Sequence, residues 1–232
     1  VTDGAETPLP RLGGDLFGGP IPPGDYVLKA RAGSGREWQF QDPYRFGPVL
    51  GDIDLHLIGE GTHRRLWDAL GAHVTTHQGV PGTHFAVWAP NARRVSVVGD
   101  FNRWDGRMHP MRRLGGSGVW EIFLPDLAEG ALYKYEILDA QGDVILKADP
   151  VGFGSQHPPQ KASVVRDITG YGWKDAEWMV RRARAQDRRA PISIYEVHPG
   201  SWRRKYDDGG RPLSYQEMAR DLVAYAKDMG FT

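Results

Sequence analysis

The sequence predicts a mainly β fold, made of immunoglobulin-like β-sandwich modules of which the first is incomplete, followed by the first β–α unit of an α/β domain. Three observations predict this architecture. Short runs that alternate apolar and polar residues are separated by turns, and the chain holds 30 Gly and 17 Pro. An internal repeat relates two of its segments. A strand-like run and a capped amphipathic helix follow later in the chain.

The composition excludes several classes of protein. Twenty-nine basic and 29 acidic residues balance, so no net charge attracts nucleic acid or an anionic membrane. No apolar run approaches the roughly 18–20 residues that cross a bilayer, and the opening VTDGAETPLP lacks the basic and apolar regions of a signal peptide. The absence of cysteine excludes disulfides and thiolate metal sites. We expect a cytoplasmic location, with no nucleic-acid and no membrane partner.

An internal repeat links the beginning of the chain to its middle. The second copy lies 107 positions after the first (133 − 26 = 107). The matched residues are Tyr26 and Tyr133, Gly35 and Gly142, Asp42-Pro43 and Asp149-Pro150, and Phe46 and Phe153. Two related β-modules are therefore predicted: an incomplete N-terminal sandwich over residues 1–61 and a second sandwich over residues 62–170. The first module has no counterpart to the opening strands of the second.

The second module is predicted to be a small antiparallel sandwich. Its strands are marked by alternating residues, among them Phe85/Val87, Val95/Val97, Trp120/Ile122/Leu124 and Tyr133/Tyr135/Ile137. A short helix capped by Thr62 is expected over residues 63–70, ahead of the sandwich. Residues 171–190 are expected to form a linker with a polar helix over residues 175–186.

The last segment has the pattern of one β–α unit. Residues 192–197 are predicted to form a buried strand. Ser214 and Glu217 then form a capping box at the start of a helix, Gly230 stands where that helix ends, and residues 231–232 resemble the start of another strand. The helix carries one apolar stripe, consisting of Met218, Leu222, Tyr225 and Met229.

Three stretches carry a family resemblance: DPYRFGPVLGDIDLHLIGEG, GDFNRWDG and PISIYEVHPGSW. In that order they resemble the N-terminal part of the bacterial 1,4-α-glucan branching enzymes, which belong to glycoside hydrolase family 13. The resemblance implies a β-sandwich, sometimes doubled, ahead of a (β/α)8 barrel. Residues 191–232 would then be the start of a truncated (β/α)8 catalytic barrel, and residues 62–170 are similar to carbohydrate-binding module family 48.

The resemblance also implies a reaction. Branching enzymes cleave an α-1,4 bond with a carboxylate nucleophile and a carboxylic acid, and transfer the chain to a 6-hydroxyl, which forms α-1,6 branches in glycogen. The catalytic carboxylates of the family lie on later barrel strands, so no catalytic residue is carried over. We expect this chain alone to have no branching activity. The implied partners are α-glucan and the remainder of the catalytic barrel, and no cofactor is implied.

Trp104 is the principal candidate for carbohydrate binding. It lies where a predicted strand runs into a turn, and a flat indole face suits the C–H face of a pyranose. In the resembling module family, this Trp and a Lys, here Lys134, contact α-glucan, together with a second Trp after a later turn. This chain has Val144 and Ile145 at that later turn. Trp104 therefore has two open roles, a weak glucan contact or packing against a neighbouring domain.

Glu196 and His198 form the candidate acid–base pair. They stand two positions apart on a predicted extended segment and would point the same way. No nucleophile accompanies them. A structural role is the alternative, in which Glu196 ties down the loop that ends at Trp202 and His198 packs beside it.

Three other groups are assigned to structural surfaces, so no metal site is predicted. One set alternates with apolar residues, as on a surface strand; it consists of Asp52, Asp54 and His56. Three histidines lack the close spacing of metal ligands and are expected to decorate a hairpin: His73, His77 and His84. The basic run over residues 181–189 is interleaved with Ala, Gln and Asp, which is typical of a solvated helix face.

Two alternative identities stay open at this stage. A debranching enzyme or a malto-oligosyltrehalose hydrolase also has this sandwich ahead of a barrel. Against it, Gly200-Ser201-Trp202 follows the first strand, where debranching enzymes continue with an Arg-Gly-Phe-like run. A stand-alone glucan-binding module is the other alternative, and the capped helix with the partial strand at Phe231 opposes it.

Overall fold

The computed structural model describes residues 6–21 and 24–232, and it divides into two compact units, one ending at Gly170 and the other spanning Tyr171–Thr232. The division falls at the position where the sequence predicts the second module to end. Residues 1–5 and 22–23 of the predicted first module lie outside the described residues. The described part is mostly antiparallel sheet with few helices, which confirms the mainly β fold class.

The front of the first unit consists of two separate hairpins and two helices. Their bounds are β1 Arg11–Gly13, β2 Leu16–Phe17, β3 Leu28–Arg31, β4 Glu37–Phe40, α1 Asp52–Glu60 and α2 Leu66–Ala69. β1 pairs with β2 and β3 pairs with β4, both antiparallel.

A two-sheet sandwich follows. Its strands are β5 Gly71–His77, β6 Val80–Trp88, β7 Arg94–Gly99, β8 Arg112–Arg113, β9 Val119–Pro125, β10 Leu132–Leu138, β11 Val144–Lys147, β12 Gly154–Ser155 and β13 Ser163–Val164. One sheet has the order β5-β6-β9-β8. In the other, β10 pairs with β7 along one side and with β11 and β13 along the other side, and β13 also pairs with β12.

The core lies between these two sheets. Alternate residues of each strand point inward, so the apolar residues at those positions are removed from water, at about 1.5–3 kcal/mol for each large side chain. The largest of them include Phe85, Val95, Val97, Ile122, Tyr133 and Tyr135. The predicted alternation of the second module is thus present in the structure.

The internal repeat extends to hydrogen-bond register. In the β3–β4 hairpin, Leu28 pairs with Phe40, and in the β10–β11 hairpin, Tyr135 pairs with Lys147. Adding the repeat offset of 107 to the first pair gives the second. The turn glycines Gly35 and Gly142 both have positive φ, +85° and +99°. Both copies therefore form the same hairpin.

In each copy of the repeat, a hydrogen bond joins a tyrosine to an aspartate 16 residues later. The hydroxyl of Tyr26 donates to Asp42 at 2.5 Å, and the hydroxyl of Tyr133 donates to Asp149 at 2.7 Å. The surroundings differ, because Tyr133 is fully buried while Tyr26 is half-buried. A buried donor or acceptor that loses its partner is more costly than one that water can reach.

Tyr133→Phe is therefore expected to destabilise the first unit by about 1–3 kcal/mol, and the matched change Tyr26→Phe by only about 0.5–1.5 kcal/mol. Urea unfolding followed by circular dichroism measures both free energies of unfolding. Equal losses in the two variants would contradict the role given to burial.

Two local expectations for the front of the chain are wrong. Residues 52–56 lie in helix α1, not in a surface strand, because Asp52 and Asp54 favour the positive first turn of a helix and Gly61 ends it with φ +73°. The short helix predicted over residues 63–70 forms only over Leu66–Ala69, as α2. Thr62 does not cap it, since its hydroxyl donates to Glu60.

The second unit contains three helices and one short two-stranded sheet in its described residues. Their bounds are α3 Ala176–Ala185, α4 Pro199–Trp202, β14 Arg204–Lys205, β15 Arg211–Pro212 and α5 Tyr215–Asp228. The predicted polar helix agrees with α3. Helix α5 begins at the predicted capping box, where Ser214 and Glu217 bond each other's backbone N–H groups, and Gly230 follows it with φ +81°.

The strand predicted over residues 192–197 is not formed. A strand is defined by its hydrogen-bonded neighbour, and this segment has no paired strand among the described residues, so Ile192 and Ile194 are 80% and 78% exposed. The segment contacts the residues that follow α5: Ser193 and Thr232 exchange hydrogen bonds of 2.8–3.3 Å, and the ring of Tyr195 packs against Phe231, with centroids 5.1 Å apart. The (β/α)8 barrel stays a prediction. None of the described helices has the length and apolarity to cross a membrane.

The apolar stripe of α5 is only partly covered. Met218 is buried, Leu222 and Tyr225 are half-buried, and Met229 is 57% exposed. The ring of Tyr225 packs edge-on against Tyr195, with centroids 5.6 Å apart.

Candidate functional site

The loop that carries Trp104 is fixed by a buried asparagine. The loop follows β7 and a 3-10 turn over Asp100–Asn102. The Oδ1 of Asn102 accepts from the N–H of Gly99 at 2.9 Å, and its Nδ2 donates to the carbonyl of Val97 at 2.9 Å. Because a buried amide with all its partners restrains the backbone around it, the loop is held in one conformation.

Trp104 is presented by strained backbone. Arg103 and Trp104 have φ of +56° and +61°, which is uncommon for large side chains and is concentrated at functional sites. The N–H of Trp104 donates to the carbonyl of Gly99 at 2.9 Å, and its indole Nε1 donates to Asp100 at 2.7 Å. The side chain is 36% exposed. The ring is therefore oriented before any ligand arrives, with part of its surface open.

Lys134 lies on the outward face of β10. Its neighbours Tyr133 and Tyr135 are buried, so Lys134 and Glu136 point away from the core. The loop after Trp104 lies against this face, because a Cβ on Gly106 would lie 2.1 Å from the carboxylate of Glu136. The loop that carries Trp104 therefore lies over the face of the sheet to which Lys134 belongs, and no hydrogen bond joins the two side chains in the described part of the chain.

The position of the missing second Trp lies on an edge strand. Val144 and Ile145 begin β11, which pairs on one side only, with β10, and they are 56% and 36% exposed. They are apolar, but neither has a flat ring or a hydrogen-bonding group. Any carbohydrate contact here depends on the remaining pair, Trp104 and Lys134.

The second-unit candidates lie at and just before the short helix α4, which ends at Trp202. Glu196 and His198 are both exposed, and the ring of His198 bonds the hydroxyl of Ser201 at 3.0 Å. The indole of Trp202 donates to the hydroxyl of Tyr195 at 3.0 Å. In the described residues Glu196 has no hydrogen bond or ion pair, so Tyr195 performs the anchoring that the structural alternative gave to Glu196.

Comparison with known proteins gives the context of this geometry. The family model of carbohydrate-binding module 48 (isoamylase N-terminal domain) matches residues 69–152. A 1,4-alpha-glucan branching enzyme of Roseobacter denitrificans is 64% identical over 208 residues, which are 89% of this chain. Those of Rhodospirillum rubrum and Cereibacter sphaeroides are 55% and 51% identical over 94% and 97% of it. The chain matches the N-terminal portion of bacterial 1,4-α-glucan branching enzymes.

The predicted family resemblance is thereby confirmed for a portion of these enzymes. The chain spans 28% of the length of the Roseobacter relative and 30% of the other two. A solved pullulanase of Klebsiella pneumoniae complexed with maltotriose aligns with 42% of this chain and 9% of its own, at 29% identity and a TM-score of 0.35, which is too low to compare domain arrangements. Trp104 and Lys134 both lie within the residues matched to carbohydrate-binding module 48.

A buried charged cluster in the first unit was missed by sequence reasoning. Glu121 on β9 is 1% exposed, and its carboxylate accepts from the ring of His84 at 3.0 Å and from the N–H groups of Val49 and Leu50 at 3.2 Å. The guanidinium of Arg112 lies 4.0 Å away. The available signal was a lone Glu inside the apolar run VWEIFL.

All three histidines lie on the β5–β6 hairpin as predicted, with His84 opposite His73, but His84 is buried and not on its surface. The rings of His73 and His77 bond the carbonyls of Leu70 and Gly47 at 3.0 Å. No group of three or more His, Asp or Glu side chains in the described ranges is placed to hold a metal ion.

Proposed function

We propose that this chain is the N-terminal portion of a 1,4-α-glucan branching enzyme and that its module 48 holds α-glucan. In this proposal the whole enzyme cleaves α-1,4 links and transfers the released chain to a 6-hydroxyl in glycogen biosynthesis, in the cytoplasm. The observation that carries the glucan-binding role is the oriented, part-exposed ring of Trp104, whose loop lies over the face to which Lys134 belongs. A ring fixed before binding loses little entropy when a sugar stacks on it.

The remaining assignments of the proposal concern architecture. Residues 1–61 and 62–170 are the two sandwich modules, residues 171–190 the linker, and residues 191–232 the start of the (β/α)8 barrel, whose remainder is the partner of this segment. The hydrogen bonds between Ser193 and Thr232 support the last assignment, because neighbouring barrel strands lie side by side. Glu196, His198 and Trp202 are given structural roles in a barrel loop, and no residue of the chain is assigned to bond cleavage.

Trp104→Ala is expected to weaken binding to glycogen by about tenfold, equal to about 1.4 kcal/mol, because the stacking surface is removed. Co-sedimentation with glycogen over a range of concentrations measures the change. Trp173→Ala is the matched control, since Trp173 is 77% exposed and lies outside the module. Unchanged binding by Trp104→Ala would assign Trp104 to packing and remove the observation on which the binding role depends.

A further inference from the structure

The first unit contains a cavity of about 500 Å³ that does not include Trp104 or Lys134. One wall comes from the end of β4 and the turn after it, including Phe40 and Tyr44. The other wall comes from the sandwich, including Phe101, His109 and Asp126. We propose that this cavity is a second binding subsite for an α-1,4-glucan chain. The proposal rests on the proposed function, since it assumes that α-glucan is the ligand of this unit.

Exposed aromatic rings line one side of the subsite. Phe40 and Tyr44 are 44% and 51% exposed although they border a cavity. Trp38 is not a lining residue, but it is 45% exposed and lies on the same face of β4 as Phe40, two residues away, so it extends the aromatic surface beyond the cavity by about 7 Å. Flat rings in a row along a strand give successive sugars apolar surfaces on which to pack.

The position of Tyr44 is fixed. Its hydroxyl donates to the carbonyls of Pro110 and Met108, at 3.2 and 3.4 Å. These bonds attach the front wall of the subsite to the sandwich wall, so the cavity has a defined width in the absence of ligand. A preformed cleft needs less reorganisation to bind a chain.

His109 supplies a hydrogen-bond donor. The Oδ1 of Asn102 accepts from Gly99, so its Nδ2 donates to the Nδ1 of His109, at 2.9 Å. The Nδ1 of His109 is therefore an acceptor, and the ring proton is on Nε2. Burial lowers the pKa of His109, which keeps the ring neutral. The Nε2–H has no protein partner in the described residues and can donate to a sugar hydroxyl.

The charges of the lining select a neutral ligand. The cavity is bordered by Asp42 and Asp126 and by no Lys or Arg of the described residues, which disfavours phosphates and other anions. The carboxylate of Asp42 already accepts hydrogen bonds from the hydroxyl of Tyr26 and the N–H of Tyr44. The carboxylate of Asp126 has no ion pair or hydrogen bond in the described chain and can accept from hydroxyls. Rings, one donor and one free acceptor together fit a neutral polyhydroxylated chain.

The test is a titration of the 232-residue chain with maltoheptaose, followed by NMR of the His109 ring nitrogens and the Trp104 indole. We expect the His109 Nε2 resonance to shift in a saturable way. Phe40→Ala should raise the Kd reported by His109 at least about fivefold and leave the Kd reported by Trp104 unchanged. Phe17→Ala is the matched control, because Phe17 is 56% exposed on the other front hairpin and does not line the cavity.

Asp126→Asn is the second variant, because asparagine tolerates the left-handed backbone at this position, φ +59°, and the fold should be kept. Its loss of charge should also raise the Kd at His109 severalfold. A shift at Trp104 without any shift at His109 would overturn the second subsite and leave the proposed function standing. Absence of a shift at both probes would overturn the second subsite and the proposed function together. If Phe17→Ala raised the Kd reported by His109 as much as Phe40→Ala does, the second subsite alone would be overturned.

Discussion

Glu121→Ala is expected to lower the free energy of unfolding of the first unit by about 3–5 kcal/mol, the usual consequence of removing one member of a buried charged cluster. The change would leave three donors without their acceptor: the ring of His84 and the N–H groups of Val49 and Leu50. It would also leave the guanidinium of Arg112 without its nearest carboxylate. For a domain whose total stability is about 5–15 kcal/mol, this loss is severe.

The protonation states in the cluster support this expectation. Burial lowers the pKa of His84 despite the adjacent carboxylate, so the ring is neutral at pH 7 and donates through Nε2. Burial acts to raise the pKa of Glu121, but the hydrogen bonds from His84, Leu50 and Val49 outweigh it and the pKa is lowered. Glu121 is therefore ionised, and its removal deletes a charge to which the surrounding donors are directed.

Urea unfolding monitored by circular dichroism measures the loss, with Glu129→Ala as the control. Glu129 is 46% exposed and, among the residues that the structure describes, pairs only with Arg166, at 3.4 Å, so its removal should change stability by less than about 0.5 kcal/mol. A loss in Glu121→Ala as small as that of the control would show that the cluster contributes no net stability.

Gly99→Ala is expected to destabilise the first unit by about 3 kcal/mol and to weaken glycogen binding as well. A Cβ at this position would lie 2.1 Å from the carbonyl oxygen of Leu132 on β10 and 2.4 Å from the ring of Phe101. A backbone oxygen in a sheet cannot move aside without breaking strand pairing. The loop would shift too, because Trp104 donates its N–H to the carbonyl of Gly99.

Gly116→Ala is the matched control for this prediction. No atom lies within 4 Å of the Cβ it would add, so we expect no loss of stability and unchanged binding. Thermal unfolding and glycogen co-sedimentation, carried out on both variants, separate the effects. Full glycogen binding by Gly99→Ala would mean that the backbone of β7 does not position Trp104.

The features that sequence predicted correctly depend on local patterns or on self-similarity. Ser214 and Glu217 are three residues apart, so their capping box involves no distant contact. The repeat aligned the β3–β4 hairpin with the β10–β11 hairpin because the chain carries the same turn residues twice. The prediction of a strand at residues 52–56 was wrong because a short run such as DIDLHLIGE is compatible with both a strand and a helix. The residues at its two ends determine which of them forms.

The candidate site was predictable only where it lies within one loop. Trp104 was recognised from the turn that contains it, whereas the bonds of Glu121 reach 37 residues to His84 and 72 residues to Val49. Tyr44 and His109 likewise meet at the cavity from separate parts of the chain. Such pairings are determined by sheet topology, and no residue pattern near Glu121 or His109 specifies their partners.

The attachment of the segment before α1 has a consequence for mutational tolerance. Glu121 binds main-chain amides, so this anchor of residues 46–50 does not depend on the side chain at position 49, whereas the side chain of Leu50 also packs against the core. Substitutions can accumulate at position 49 while the segment keeps this anchor, with proline excluded because it has no N–H. The carboxylate that holds the backbone of this segment belongs to the receiving strand, while the buried ring of Phe46, packed edge-on against Phe123, is an anchor within the segment itself. Front modules exchanged by recombination would therefore dock where both that glutamate and this aromatic ring are retained.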